Sequence, residues 1–388
     1  MWKQCYNKIT HTLTIPFNFN EMLRDLPNDT QIIIFEQDIQ KRHNSQFNQK
    51  IDNLQYKWVL KGCIPWRLNN LIHLTHLTFG AFFNQQVNYL PNTLTHLTFG
   101  YYFNQLVDFL PNTLTHLTFG YCFNQLVEFL PNTLTHLTFG YYFDQVIDFL
   151  PNSLTHLTFG YKFNQQVNAV NKNFIFTNIS KNDSVFDGDN LPSSLTHLTF
   201  GGCFNQKINN LQNSLTHLIF GESFDQEVNN LPSTLTHLIF GDSFDQEVNN
   251  LPSTLTHLTF GISFNKPVNY LPSTLTHLTF GYNLYQTTDG APLNFNLQNN
   301  LTTSKLLLIF NQKIDNLPNS LTHLTFGSYI LEFNQPANNL PNSLTHLNFG
   351  YFNQSVDYHI HLPYYNYIEK SQQLFKKIPF GCDVKIFK

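Results

Sequence analysis

A block of twenty residues, LPNTLTHLTFGYYFNQLVDF, begins at Leu90 and recurs with few changes at Leu110, Leu130 and Leu150. Further copies begin at Leu191, Leu211, Leu231, Leu251 and Leu271, then at Leu317 and Leu340. A fixed period this short restricts the chain to an array. One such unit cannot enclose a core and buries its apolar face only against its neighbours. Length alone would suggest about two or three globular domains, but a solenoid grows in one dimension and escapes that count.

The pattern inside one copy assigns faces. In LTHLTFG, Leu97 and Phe99 alternate with His96 and Thr98, the period of two of a half-buried strand. Gly100 follows at once and is expected to permit a sharp corner. Phe103, Val107 and Leu110 return along a far wall, where Pro91-type residues suit an extended connection. No ten-residue stretch has helical periodicity, so that wall should be extended or 3₁₀. The expected fold is all-β: a parallel-sheet solenoid of twenty-residue, leucine-rich-repeat-like turns with little or no α-helix. Asn104 recurs as Asn124, Asn164 and Asn205, with Asp144 and Asp225 substituting, and a polar residue at one corner is expected to satisfy backbone groups.

The gaps in the period set the boundaries. Residues 1–70 read as degenerate N-terminal repeats or a cap, with LPNDTQIIIF fitting the repeat frame. Residues 71–361 read as the array, with diverged turns at 171–190 and 282–316, and residues 362–388 as a C-terminal cap.

Composition narrows the partners. Charged residues make up 12% of the chain and the formal charge is −4, so no polycationic surface awaits nucleic-acid phosphate or anionic lipid. The five cysteines, Cys5, Cys63, Cys122, Cys203 and Cys382, are odd in number, far apart and without a CxxC pair, which reads as free thiols in a reducing compartment. The opening MWKQCYNKIT has no apolar signal region, and no run approaches the ~18 apolar residues of a membrane span. A monomer in the cytoplasm, without membrane contact or cofactor, is the expectation.

The Leu-x-x-Leu-x-Phe order after Leu-Pro resembles short leucine-rich repeats, and the Phe-Asn-x-Pro turn resembles the FNIP repeat more specifically. Phe264-Asn265-Lys266-Pro267 and Phe333-Asn334-Gln335-Pro336 match it best. Most copies depart from it, as in Phe103-Asn104-Gln105-Leu106-Val107, while keeping the LPxxLTHLxFGxxFN frame. The resemblance implies a protein of social amoebae or of giant amoeba viruses, in host cytoplasm if viral. In the viral set an F-box often precedes the repeats, implying a substrate adaptor for a ubiquitin ligase. Here LPNDTQIIIFEQDI fits the repeat frame instead and no helical continuation follows, so no F-box is assigned.

Twelve of the seventeen histidines fall in one column, among them His96, His116, His136 and His156. Alternation with buried Leu puts them on the open face of the sheet, with neighbouring rings about 5 Å apart. Zinc or copper ligation needs ligands that converge on one point, whereas stacked rings all point the same way, so no metal site is assigned. A milder expectation is that the column is neutral near pH 7 and that acidification weakens the array or changes its binding. Thr95 and Thr98 are three apart and are expected on opposite sides of the strand, which leaves no flat threonine array for ice. Asp108, Glu128 and Asp148 recur at one far-wall position and read as a solvated stripe, not as the convergent carboxylates of a glycosidase. Nothing departs from the repeat to form a nucleophile set or phosphate loop, and no enzyme is expected.

Two positions after each strand glycine vary. They are Tyr101-Tyr102, Tyr121-Cys122, Tyr141-Tyr142 and Tyr161-Lys162 in early copies, and Glu222-Ser223, Asp242-Ser243 and Ile262-Ser263 later. Exposed aromatic rows are favoured interface anchors. The expected function is a non-catalytic protein–protein interaction scaffold that contacts a protein partner through Tyr101, Tyr102, Tyr121, Tyr141, Tyr142 and Tyr161, with His96, His116, His136 and His156 beside them. A metal- or pH-responsive histidine surface, and a duplicated structural protein with no fixed partner, are the alternatives.

Overall fold

The computed structural model describes residues 6–15, 27, 29–35, 72–167 except 89 and 149, 191–281 except 209 and 210, 310–327, 335, 339–349, 379 and 381–386. Two compact units partition the chain: Met1–Val167 with Ser184–Leu195, and Asn168–Asp183 with Thr196–Lys388. The described residues contain no α-helix, nor any 3₁₀ segment on the far wall.

The first unit carries β1 (Tyr6–Asn7), β2 (Thr12–Ile15), β3 (Ile32–Phe35), β4 (His76–Thr78), β5 (His96–Thr98), β6 (His116–Thr118), β7 (His136–Thr138) and β8 (His156–Thr158). Strand β1 runs antiparallel to β2, and every later pair is parallel. The second unit carries β9 (His197–Thr199), β10 (His217–Ile219), β11 (His237–Ile239), β12 (His257–Thr259), β13 (His277–Phe280), β14 (His323–Phe326), β15 (His346–Phe349) and β16 (Asp383–Ile386), parallel throughout. Register is exact repeat to repeat: His96 faces His116, Leu97 faces Leu117 and Thr98 faces Thr118. Parallel pairing follows from the period, because each turn brings the chain back in the same direction after twenty residues.

Each turn is closed by two tight bends. Leu94 N–H donates to Pro91 O at 3.1 Å, and Phe103 N–H donates to Gly100 O at 3.2 Å. Between them the interior is dry: Leu94, Leu97, Phe99, Phe103, Val107 and Leu110 are all buried. Phe99 and Phe103 lie face to face, with centroids 3.8 Å apart, and this pair repeats as Phe119–Phe123 and Phe139–Phe143. Full burial of such a side chain is worth about 1.5–3 kcal/mol.

Two expectations need correction. Gly100 does stand at the sharp corner, where Phe103 N–H closes the bend, but the corner makes no use of glycine's positive φ: among the described glycines only Gly281 and Gly381 have it. A β-carbon on Gly100 would instead overlap the carbonyl of Gly80, and one on Gly120 the carbonyl of Gly100. The glycine column is a line of backbone contacts between turns. Nor does Thr95 lie opposite Thr98 inside the solenoid, for both are half-buried. Thr95 N–H and His96 N–H both donate to Thr75 O, at 2.8 and 3.0 Å. Two consecutive donors on one acceptor make a bulge that resets the alternation just before the strand.

Turns fan out from the sheet. In the first unit, neighbouring rings are 4.0–4.2 Å apart in the histidine column and 5.5–5.9 Å in the Phe99 column. They are 6.0–6.1 Å apart in the Phe103 column. The histidine face is therefore the inner side of the local bend in that unit. The diverged turn at 171–190, and residues 282–309 of the one at 282–316, lie outside the described residues.

The asparagine corner is a second ladder. Asn124 N–H donates to Asn104 Oδ1 at 2.9 Å, and Gln125 Nε2 donates to the same oxygen at 3.1 Å. Asp144 takes the same place, accepting from Asn164 N and Gln165 Nε2. Only an acceptor oxygen is required, which is why Asp and Asn interchange there.

Candidate functional site

The bulge that opens each strand also positions the histidine. Thr95 Oγ1 lies 2.9 Å from His96 Nδ1 and 3.2 Å from Thr75 O, one turn earlier. The same clamp holds His116, His136 and His156 at 2.9 Å from Thr115, Thr135 and Thr155. Held this way, the rings stack: His96–His116 at 4.1 Å, His116–His136 at 4.2 Å and His136–His156 at 4.1 Å, with planes 11–13° apart. This is closer than the strand spacing alone implies, because the ladder is on the inner side of the bend. Desolvation pushes the His96 and His257 imidazoles down to about 4, and neighbouring rings add to the effect. Both are neutral at pH 7. Among the described residues, no group of three His, Cys, Asp or Glu side chains could hold a metal ion.

The rim forms a separate column. Tyr101 and Tyr102 occupy the two central positions of the bend that Phe103 closes, and Tyr102 N–H donates to Ala81 O at 2.7 Å. Because each bend repeats the last, Tyr101, Tyr121, Tyr141 and Tyr161 stack at 4.4, 4.5 and 4.9 Å with planes 6–13° apart. These four are half-buried by one another. Burial raises the Tyr101 and Tyr121 phenols above their ordinary value. Tyr102 and Tyr142 stand edge-on to Tyr101 and Tyr141 and are the exposed pair, at 46% each. Lys162 Nζ lies 5.5 Å from the Tyr161 ring, within cation–π range. His96 opens β5 and Tyr101 lies in the bend that follows it, so the two columns stand at opposite ends of each strand.

In the second unit the rim is acidic. Asp242 follows Gly241 where Tyr101 follows Gly100, and burial, with Glu222 adding repulsion, pushes its carboxyl up to about 7. Its Oδ1 is buried without a hydrogen-bond partner. None of Cys122, Cys203 and Cys382 is disulfide-bonded, and burial raises the Cys122 thiol. No helix of the described residues is long and apolar enough to cross a membrane.

One surface was not legible from the repeat frame. Phe109 and Phe129 are exposed at 67% and 66%, and Leu106, Leu126 and Val146 beside them are exposed too. The available signal was their departure from the later copies, where Asn230 and Asn250 stand at the phenylalanine position and Glu227 and Glu247 at the leucine position.

Comparison with known proteins follows the same frame. The FNIP Repeat family model matches nine segments that together span 47–175, 182–283 and 310–352. Among solved structures, CroV588, described as a novel circular LRR protein, is 33% identical, with 97% of this chain and 72% of that one covered and a TM-score of 0.29. YopM from Yersinia enterocolitica WA-314 is 19% identical over 82% and 74% of the two chains, with a TM-score of 0.38. A leucine-rich repeat protein from Bacteroides ovatus ATCC 8483 is 14% identical over 82% and 79%, with a TM-score of 0.23. No curated protein matches the chain. With most of its length matched by one repeat model and the same frame visible in the described turns from β4 to β15, the chain belongs to the FNIP repeat family.

Proposed function

We propose that the chain is a non-catalytic scaffold that captures a protein partner in the reducing interior of a cell. The supporting observation is the contrast within each turn. Leu97, Phe99 and Phe103 hardly change from copy to copy, while the bend residues run from Tyr-Tyr in the first unit to Glu-Ser and Asp-Ser in the second. A surface that varies over a constant frame is what recognition requires. Exposed Tyr102 and Tyr142, propped edge-on by the stacked column behind them, are the contact residues; Tyr101, Tyr121, Tyr141 and Tyr161 act chiefly as their support. His96, His116, His136 and His156 open the strands that lead into these bends.

The test is affinity capture with the intact chain against a Tyr102→Ser/Tyr142→Ser variant. Loss of specific partners, with thermal stability retained, supports the reading. An unchanged set of captured proteins refutes the placement at the rim. A pH-responsive surface is a second reading, favoured by the low imidazole values of His96 and His257. It expects capture to change only as pH falls toward about 4, where these imidazoles take a proton.

A further inference from the structure

We propose that the far wall over the turns from 101 to 152 is a docking groove for an extended peptide segment that alternates apolar residues with lysine or arginine. This surface lies on the wall opposite the strand and does not depend on the tyrosine rim. The groove has a volume of about 680 Å³, with Phe109, Phe129, Leu130 and Leu150 giving it an apolar lining and Asp108 and Glu128 an acidic one. No lysine or arginine lines it. The ion pairs among the described residues, His11–Asp29 and Lys266–Asp245, lie elsewhere.

The repeat itself supplies the control that shows these residues are not structural. At the places of Leu106, Asp108 and Phe109, the second unit carries Glu227, Asn229 and Asn230, then Glu247, Asn249 and Asn250. Those turns bury Val228 and Val248 as the first unit buries Val107 and Val127. The frame therefore closes equally well with polar residues on this wall. At the Asp108 and Phe109 places a carboxylate and an exposed ring stand side by side in two consecutive turns, as Asp108-Phe109 and Glu128-Phe129, with both rings about two-thirds exposed. Exposed aromatic rings beside carboxylates in one groove are the kind of anchor point a partner uses.

Charge and spacing select the occupant. Unpaired carboxylates beside exposed rings favour a segment that brings cations next to apolar side chains. Neighbouring turns on this wall are spaced 6.0–6.1 Å apart at Phe103, Phe123 and Phe143. Side chains i and i+2 of an extended segment are about 6.6 Å apart, so one running along the array seats an apolar residue on each turn. A second copy of the chain is a poorer match, since its net charge is −4.

The experiment is fluorescence anisotropy of a labelled octapeptide of alternating lysine and leucine, titrated with the intact chain. Two variants accompany it, Phe109→Asn/Phe129→Asn and Leu106→Glu/Leu126→Glu, each importing what the second unit carries at the same place. Thermal melting checks that both remain folded. Binding in the micromolar range is expected for the natural chain. The asparagine variant should weaken it about tenfold or more, as loss of aromatic anchors does. A glutamate–leucine peptide and a lysine–serine peptide should each bind about tenfold more weakly, one lacking the charge and the other the apolar residues. The proposal is overturned if the lysine–leucine peptide does not bind, if the folded asparagine variant binds it equally well, or if the lysine–serine peptide binds as tightly. It is also overturned if sedimentation shows that copies of the chain pair through this wall, with the asparagine variant monomeric.

Discussion

The hydroxyl of Thr95 lies 2.9 Å from Nδ1 of His96 and 3.2 Å from the carbonyl oxygen of Thr75. A hydroxyl has one proton and can donate it to the carbonyl while accepting from Nδ1–H. Both bonds are then made at once with the proton on Nδ1, leaving Nε2 unprotonated and facing outward. Nitrogen-15 chemical shifts of the ring should report the Nδ1-protonated form. Thr115→Val removes the same clamp from His116 and should cost about 1 kcal/mol, read as a shift in the urea midpoint. A signal from the Nε2-protonated form in the natural protein would contradict the clamp as described.

Acid should loosen the fold through the histidine column. An unfolded histidine takes a proton near 6.5, whereas His96 and His257 resist until about 4. Between those values the unfolded chain binds more protons, so stability is full above about pH 6.5 and falls as pH drops toward 4. Melting temperature should therefore decrease between pH 7 and pH 5. Replacing His76, His96 and His116 together with Gln should flatten that dependence. A flat profile in the natural protein would rule the mechanism out.

Asp242 works in the opposite sense. Its folded-state value is raised to about 7 from an ordinary 3.8, so keeping it ionised above pH 7 destabilises the fold, and the effect fades as pH falls. Asp242→Asn should raise the melting temperature at pH 8 and have little effect near pH 4. Equal effects at both pH values would show that packing, not charge, is responsible.

Gly120→Ala should be among the most damaging single substitutions, because its β-carbon would overlap the carbonyl of Gly100 across the turn boundary. Overpacking against backbone is expected to cost on the order of 3 kcal/mol, measured by urea denaturation. A loss below about 0.5 kcal/mol, the scale of an ordinary surface change, would show that the turns can separate at that point without cost.

Asn104→Asp and Asn104→Ala should differ sharply. Asp keeps the oxygen that accepts from Asn124 N and Gln125 Nε2, as Asp144 does two turns further on, and should be close to neutral. Ala abandons both donors and should cost about 1–3 kcal/mol. Equal melting temperatures for the two variants would remove the ladder from any account of stability.

Much of this architecture could be read from the period. Leu97 and Phe99 alternate with His96 and Thr98, and that spacing alone predicts the strand, its inward face and the histidine column. Local patterns served less well where neighbouring turns interfere. Gly100 looks like a corner residue because glycine usually serves φ, but its constraint comes from Gly80, twenty residues earlier. Thr95 looks inward-facing only if the strand is straight, and the shared carbonyl of Thr75 bends it. Phe109 was hidden for another reason: an apolar residue in an apolar repeat reads as core until its exposure is known. At the rim, the sequence marks Tyr101 and Tyr102 equally, and only the bend separates the stacked one from the exposed one.

The asparagine ladder also has a sense of direction. Asn104 N–H donates to Asn84 Oδ1, and Asn104 Oδ1 accepts from Asn124 N–H, so within each described run of the ladder a turn gives to its predecessor and receives from its successor. The two ends of such a stack are chemically unlike, as the two poles of a magnet are. Excising or inserting one whole turn rejoins a giving edge to a receiving one, whereas half a turn joins nothing. Gene rearrangements that add or lose complete repeats are thus the changes this protein absorbs most readily, and its length is free to drift in steps of one turn.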